Sequence, residues 1–309
     1  MYQKADVIEI GHYKDVFCRS RQNYTLQHCS QKLILAARDT QLLYRGSAVC
    51  QDFGNTNFYY TSCMMNCIYD CEYCYLKGMY PSANIVMFVN LEDIFARVDQ
   101  MLKTQELYLC VSYDTDLLAL EQVAGYAAAW SRFAAQRAPR LKIEIRTKCA
   151  SQHYFESQEP LSNVIYAFTL SPQAVVERFE HHTPSLTERI ACAAKAVSAG
   201  FAVRLCFDPM IYVPQWQHHY AGMLDQVFES IGAEKLLDVS AGSFRIPQDY
   251  LKRMRRQQPD SAAAWFPYQM DHGYYHYPDD LMEQMEQYLT RRLRQHLPES
   301  QIFVWNHLQ

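Results

Sequence analysis

From residue 57 onward the chain alternates short apolar runs with longer amphipathic stretches. Runs of four to nine apolar residues rich in Val, Ile, Tyr and Phe predict strands, and apolar positions three and four apart predict helices. Strands are expected at 57–61, 107–112, 141–147, 164–170, 201–209, 235–242 and 301–305. Helices are expected at 91–103, 116–136, 185–200, 215–232, 247–256 and 278–297. Ser185 suits an N-cap and Gly200 a stop, and Pro247 suits a first helical position. The stretch 32–38 (KLILAAR) fits either a short helix or a strand.

Strands alternating with helices predict a parallel sheet with right-handed crossovers. About six such units run between residues 57 and 257. They either close into a partial (β/α)6 barrel or open into a doubly wound sheet. Both arrangements put chemistry at the C-terminal ends of the strands. A cysteine loop follows the first strand directly, and Cys110 and Ser112 end the second. Lys148 follows the third, Thr169 and Ser171 end the fourth, and Asp208 follows the fifth. Polar and sulfur groups therefore collect on one predicted rim.

Composition narrows the class. The 309 residues are 49% hydrophobic and 20% charged, which suits a soluble globular chain with a sizeable core. No apolar run reaches membrane-spanning length, and the first residues lack the apolar core of a signal peptide, so a cytoplasmic protein with no membrane partner is expected. The formal net charge of −4 argues against a protein that coats nucleic acid by charge alone, and leaves room for a local basic groove. KRMRR (252–256) is such a basic stretch, on a solvated helix face or against phosphates. Eleven cysteines, an odd number in a long chain, do not suit a disulfide scaffold.

Four of those cysteines, Cys63, Cys67, Cys71 and Cys74, lie within twelve residues. The last three are spaced Cys-x3-Cys-x2-Cys. Three thiolates on a loop after a strand can hold three irons of a cube and leave the fourth iron open. S-adenosylmethionine can fill that position and yield a radical, chemistry that a protein mainly orients and shields. The alternative is a closed site, zinc or iron–sulfur, with Cys63 as fourth ligand.

These residues resemble a known family. Cys67, Cys71 and Cys74, with the aromatic Tyr73 before the last cysteine, match the radical S-adenosylmethionine signature. CEYCYL followed by FVNLEDI (88–94), LCVSYD (109–114), RTK (146–148), the stretch 179–216 and GYYHYPDDLMEQM (273–285) resemble spore photoproduct lyase. We read one main domain over 55–257, a partial (β/α)6 barrel of the radical S-adenosylmethionine type. An N-terminal extension (1–54) precedes it, and a C-terminal hairpin and helix (258–309) close the rim.

The resemblance implies a radical lyase that reverts 5-thyminyl-5,6-dihydrothymine in DNA to two thymines. Cys67, Cys71 and Cys74 would hold a [4Fe-4S] cluster. Cys110 would donate a hydrogen atom to the thymine radical left after the methylene bridge breaks. Tyr73 and Tyr75 match tyrosines near the cofactor and in radical return. Lys148 matches a lysine that contacts S-adenosylmethionine, and Thr169 stands where the family usually has serine. Ser112 would lie in the substrate pocket, with Tyr275 and His276 of the aromatic stretch 274–277 toward DNA; the family often carries an arginine where this chain has His276. A flavodoxin or ferredoxin would supply the electron. Two other readings stand beside this one: a related radical enzyme with a different substrate, and a zinc or iron–sulfur nucleic-acid-binding module without catalysis.

Overall fold

A computed structural model describes residues 6–47 and 50–305. Its centre is an eight-stranded sheet, numbered here along the chain: β1 (Tyr44–Arg45), β2 (Phe58–Tyr60), β3 (Leu107–Cys110), β4 (Leu141–Thr147), β5 (Val164–Thr169), β6 (Ala202–Met210), β7 (Asp238–Ser243) and β8 (Ile302–Val304). The spatial order is the chain order, and every pair is parallel except β1 with β2. This order decides between the two predicted architectures. A doubly wound sheet reverses its order at a switch point. Here the winding never reverses, so successive right-handed crossovers stack the helices on one face. The other face curls inward as a lumen, and the sheet is an open half-barrel.

The helices on the outer face are α1 (Leu91–Leu102), α2 (Tyr126–Ala135), α3 (Leu186–Ser198), α4 (Trp216–Ser230) and α6 (Asp279–Leu293), whereas α5 (Gln248–Gln257) packs on the short helix that follows the cysteine loop. The main core lies between them and the sheet and includes Trp130, Ile143, Ile145, Phe168 and Leu205. Ser185 caps α3 as predicted: its hydroxyl accepts the Glu188 N–H (3.3 Å) while Glu188 accepts the Ser185 N–H (2.7 Å). Gly200, at φ 87°, follows its end.

Two helix expectations need correction. The helix predicted over 116–136 is broken: Leu118–Leu120 and Glu121–Ala124 form short turns before α2 begins. Gly125 takes φ 64°, and the Glu121 carboxylate accepts the N–H groups of Ala127 (2.7 Å) and Ala128 (3.0 Å), capping a fresh helix. Pro247 stands just before α5 instead of opening it. The ambiguous KLILAAR segment is a strand: Leu33–Ala36 pairs in parallel with Ile85–Phe88, which also pairs with Met64–Met65. The N-terminal residues thus build a small second sheet around the cysteine loop. Residues Arg245–Pro247, Gln269–Asp271 and Tyr274–His276 form a third antiparallel sheet. No helix among the described residues is long and apolar enough to cross a membrane.

Candidate active site

The lumen is built in layers by strand alternation. At the bottom, Phe53, Tyr108 and Ile165 form an apolar plug. Above it lies a buried ion network. Arg204 on β6 pairs bidentately with Asp238 on β7 and reaches Glu144 on β4 at 2.5 Å, and the Tyr108 hydroxyl donates to the same Glu144 oxygen at 2.5 Å. Arg146 holds the other oxygen of Glu144 through Nε at 3.3 Å. Burial pushes Glu144 up, but Arg146 and Arg204 outweigh it and hold the carboxylate below its usual range.

Cys110 ends β3 directly opposite Glu144 in the β3–β4 register, so the two share the lumen face. Its side chain is buried, and burial with Glu144 nearby pushes the thiol far above its ordinary pKa. Ser112 lies just beyond; its hydroxyl oxygen accepts the Arg146 N–H at 2.6 Å. The Tyr75 hydroxyl, arriving from the cysteine loop, donates to the backbone carbonyl of Tyr113. Tyr113 stacks on Tyr60 at 4.0 Å and contacts the Cys50 sulfur through its hydroxyl at 3.6 Å.

The cysteine loop is clamped from several elements. Cys71 lies in a two-residue strand, Asp70–Cys71, that pairs antiparallel with Glu180–His181. Tyr69 N–H points at the Cys67 sulfur (3.4 Å), and the Cys67 carbonyl accepts the Gln31 amide (3.1 Å). Lys77, one turn past Cys74, pairs with Asp70 at 2.5 Å. Gly78 on the same short helix, Tyr75–Met79, meets α5 closely: a Cβ there would stand 2.6 Å from the Tyr250 backbone. Glu180 is the hub. It pairs with Arg189 of α3 at 2.5 Å with both side chains fully buried, accepts the Ser171 hydroxyl at 2.8 Å, and accepts the Tyr73 hydroxyl. The Lys148 ammonium lies 5.5 Å over the Tyr73 ring. The Asp116 carboxylate fixes the start of that segment by accepting the Lys148 N–H and the Thr147 hydroxyl, each at 2.7 Å. Thr169 joins through its carbonyl, which accepts from Arg189 at 3.4 Å.

The residues present fit an iron–sulfur cluster. Burial raises all three loop thiols, Cys71 to about 12, and neighbouring thiols raise those of Cys67 and Cys71 further. Lys148 opposes the rise for Cys71 and Cys74. Three thiolates within electrostatic reach of one another, Cys71 buried and Cys67 and Cys74 half-buried, are unfavourable unless cationic iron binds them. A closed site would need Cys63 as its fourth ligand. Cys63 is fully buried in the core, with its thiol toward the Val111 carbonyl at 3.6 Å.

The structure thus brings Cys67, Cys71, Cys74, Tyr73, Lys148 and Thr169 into one clamped region, and Cys110, Ser112 and Tyr75 toward the lumen. Tyr275 and His276 sit in the third sheet, which meets the lumen rim where Arg245 pairs with His276 in register and with Asp208 at 3.1 Å. The KRMRR stretch is partly spent inside the fold: Arg253 donates to the Met79 carbonyl (2.6 Å) and Arg255 to that of Ala264 (2.9 Å). Glu180, Arg189, Asp116, Tyr113 and Cys50 are functional-site neighbours that sequence reading missed. They come from distant segments with no shared spacing, and a Glu nine residues before an Arg is no motif.

Comparisons with known proteins agree with this geometry. A family model described as spore photoproduct lyase matches residues 57–305. The spore photoproduct lyase of Clostridium acetobutylicum is 22% identical over 241 residues, covering 74% of this chain and 70% of that protein. The Bacillus subtilis enzyme of the same name is 20% identical over 179 residues, 56% of this chain and 52% of that one. A solved spore photoproduct lyase mutant with dinucleoside spore photoproduct superposes with a TM-score of 0.73 at 18% identity, covering 89% of this chain and 81% of that one. Another mutant, with bound AdoMet and the same dinucleoside, gives a TM-score of 0.72, likewise at 18% identity, and covers 89% of this chain and 82% of that one. The half-barrel is the fold of those structures. With a family model spanning nearly the whole described barrel, the chain belongs to the spore photoproduct lyase family of radical S-adenosylmethionine enzymes.

Proposed function

We propose that this chain reverts spore photoproduct in DNA to two thymines, with Cys110 as the hydrogen-atom donor. One observation carries the reading: the Tyr75 hydroxyl, one residue past the last loop cysteine, is bonded to the Tyr113 carbonyl, three residues past Cys110. The clamped loop and the lumen thiol are thereby parts of one site. Cys67, Cys71 and Cys74 would hold the [4Fe-4S] cluster, and Tyr73, Lys148 and Thr169 line the side toward S-adenosylmethionine. When bound, these groups supply a carbon radical that takes a hydrogen atom from the substrate.

The rest falls to the protein. Cys110 is held as a neutral thiol by its burial, the form that hydrogen-atom transfer requires and nucleophilic catalysis does not. Its S–H hydrogen passes to the methylene radical of the separated thymine, forming the methyl C–H bond. The sulfur radical regains a hydrogen atom from a tyrosine O–H, and Tyr75 is the tyrosine on the Cys110 side. Tyr73, whose hydroxyl is engaged by Glu180, orients Lys148. Ser112 sits at the lumen wall where the lesion enters, and Tyr275 and His276 of the rim sheet face the flanking DNA. A low-potential flavodoxin or ferredoxin supplies the electron in the cytoplasm.

The test is an anaerobic assay with iron, sulfide, dithionite, S-adenosylmethionine and dinucleotide spore photoproduct. Wild-type protein should yield thymine dinucleotide, and Cys110→Ala should still form 5′-deoxyadenosine while giving side products in place of repair. Deoxyadenosine without repair by the wild type would place the enzyme on another substrate.

A further inference from the structure

Arg146 differs from the other lumen arginines. Arg204 spends its guanidinium on Asp238 and Glu144, and Arg245 pairs with Asp208 and lies 4.3 Å over the Trp305 ring. Arg146 uses only Nε, toward Glu144, and its two terminal amino groups have no partner among the described residues. Its side chain is 33% exposed, on a strand whose neighbours on either side are fully or nearly buried.

The placement is fixed from two sides. Glu144, opposite Cys110 in register, is anchored by Arg204 and Tyr108, so it holds Nε of Arg146 from below. Ser112, two residues past Cys110, accepts the Arg146 backbone N–H. Arg146 stands two residues up β4 from Glu144, about 7 Å along the strand. The open edge of a charged, five-donor fork therefore lies at the level of Cys110 and Ser112.

We infer that Arg146 binds the lesion directly, its open guanidinium edge donating to a ring carbonyl of the thymine whose methylene carbon receives the Cys110 hydrogen. A thymine ring offers carbonyl oxygens at C2 and C4 as its acceptors, and whatever ring Cys110 serves must lie beside Arg146. The bond fixes that ring in its plane and brings the exocyclic carbon to the thiol, which is what a hydrogen-atom donor needs to outpace side reactions. Glu144 is then a positioning residue acting through Arg146. This inference rests on the repair reading and deepens it.

The experiment compares wild type, Arg146→Gln and Arg146→Lys on two substrates: dinucleotide spore photoproduct and the dinucleoside lacking the linking phosphate. Cluster absorbance, and 5′-deoxyadenosine formed without substrate, report whether each variant is folded and loaded. Arg146→Gln should raise KM on both substrates by about 10- to 100-fold, the range for losing one charge-assisted hydrogen bond, and raise the share of side products. Arg146→Lys should recover part of the loss. A defect confined to the dinucleotide would assign Arg146 to the phosphate and overturn the inference, as would unchanged kinetics on both. Absence of repair by the wild type would instead remove the repair reading itself.

Discussion

The two sulfur-bearing regions of the site are held in opposite ways. Cys110 sits on a strand, placed by the β3–β4 register and needing nothing further to fix its direction. The three loop cysteines lie on backbone with almost no regular structure, a two-residue strand and a five-residue helix. That loop is held by side chains from outside it: Glu180 with Arg189, Lys77 with Asp70, and the Gln31 amide. A hydrogen donor needs one rigid position. A cluster loop has to receive a bulky inorganic group, and polar clamps around irregular backbone allow that. The contrast predicts that the loop fails through its clamps while the placement of the lumen thiol survives their loss.

The largest effect is expected from the proposed cluster ligands. Cys71→Ser should lose cluster absorbance and all 5′-deoxyadenosine formation, whereas Cys63→Ala should keep both at the cost of a core cavity. Next is the clamp. Glu180→Ala strands the buried Arg189 and should cost about 3–5 kcal/mol in chemical denaturation. Glu180→Gln, which still accepts the Tyr73 hydroxyl, should cost less. Acid should do the same. Lys148 and Arg189 overcome the upward push of burial and hold Glu180 below the ordinary carboxylate range, and Glu144 is held low as well. A depressed folded pKa gives stability that is present above the unfolded value, near 4.3, and lost as pH falls through the folded one. The Tm should therefore drop steeply below about pH 4, and the drop should shrink in Glu180→Gln.

Smaller effects sharpen the contrast. Gly78→Ala forces the helix after Cys74 away from the Tyr250 backbone and should cost about 1–3 kcal/mol. It should also speed cluster loss in air while leaving Cys110 undisturbed. Ser185→Ala removes the α3 cap and should cost about 1 kcal/mol with unchanged side-product ratios.

Legibility follows the same division. The strands and the cysteine spacing were readable because both are local: alternation marks β4, and Cys-x3-Cys-x2-Cys marks the loop. The cap at Ser185 was readable for the same reason. The break at Gly125 was not, because it depends on Glu121 reaching forward to two N–H groups that a continuous helix would have bonded to its own carbonyls. Glu180 was not, because its partners come from residues 73, 171 and 189, joined only by the fold. Cys110 was marked by resemblance; read from the sequence alone it is one more cysteine in a strand, the usual place for a small core residue. Arg146 reads as a charge at a strand end until the register sets Glu144 opposite Cys110 and the Arg146 N–H on Ser112.

The central claim is that the lumen thiol of Cys110 delivers hydrogen to the repaired thymine. The direct test is a single turnover in D2O, with thiols exchanged beforehand, followed by mass analysis of the thymine methyl group. One deuterium is expected in that methyl with wild-type protein and none with Cys110→Ala. A methyl group carrying only protium in the wild-type product would show that the hydrogen never passed through an exchangeable thiol, and would contradict it.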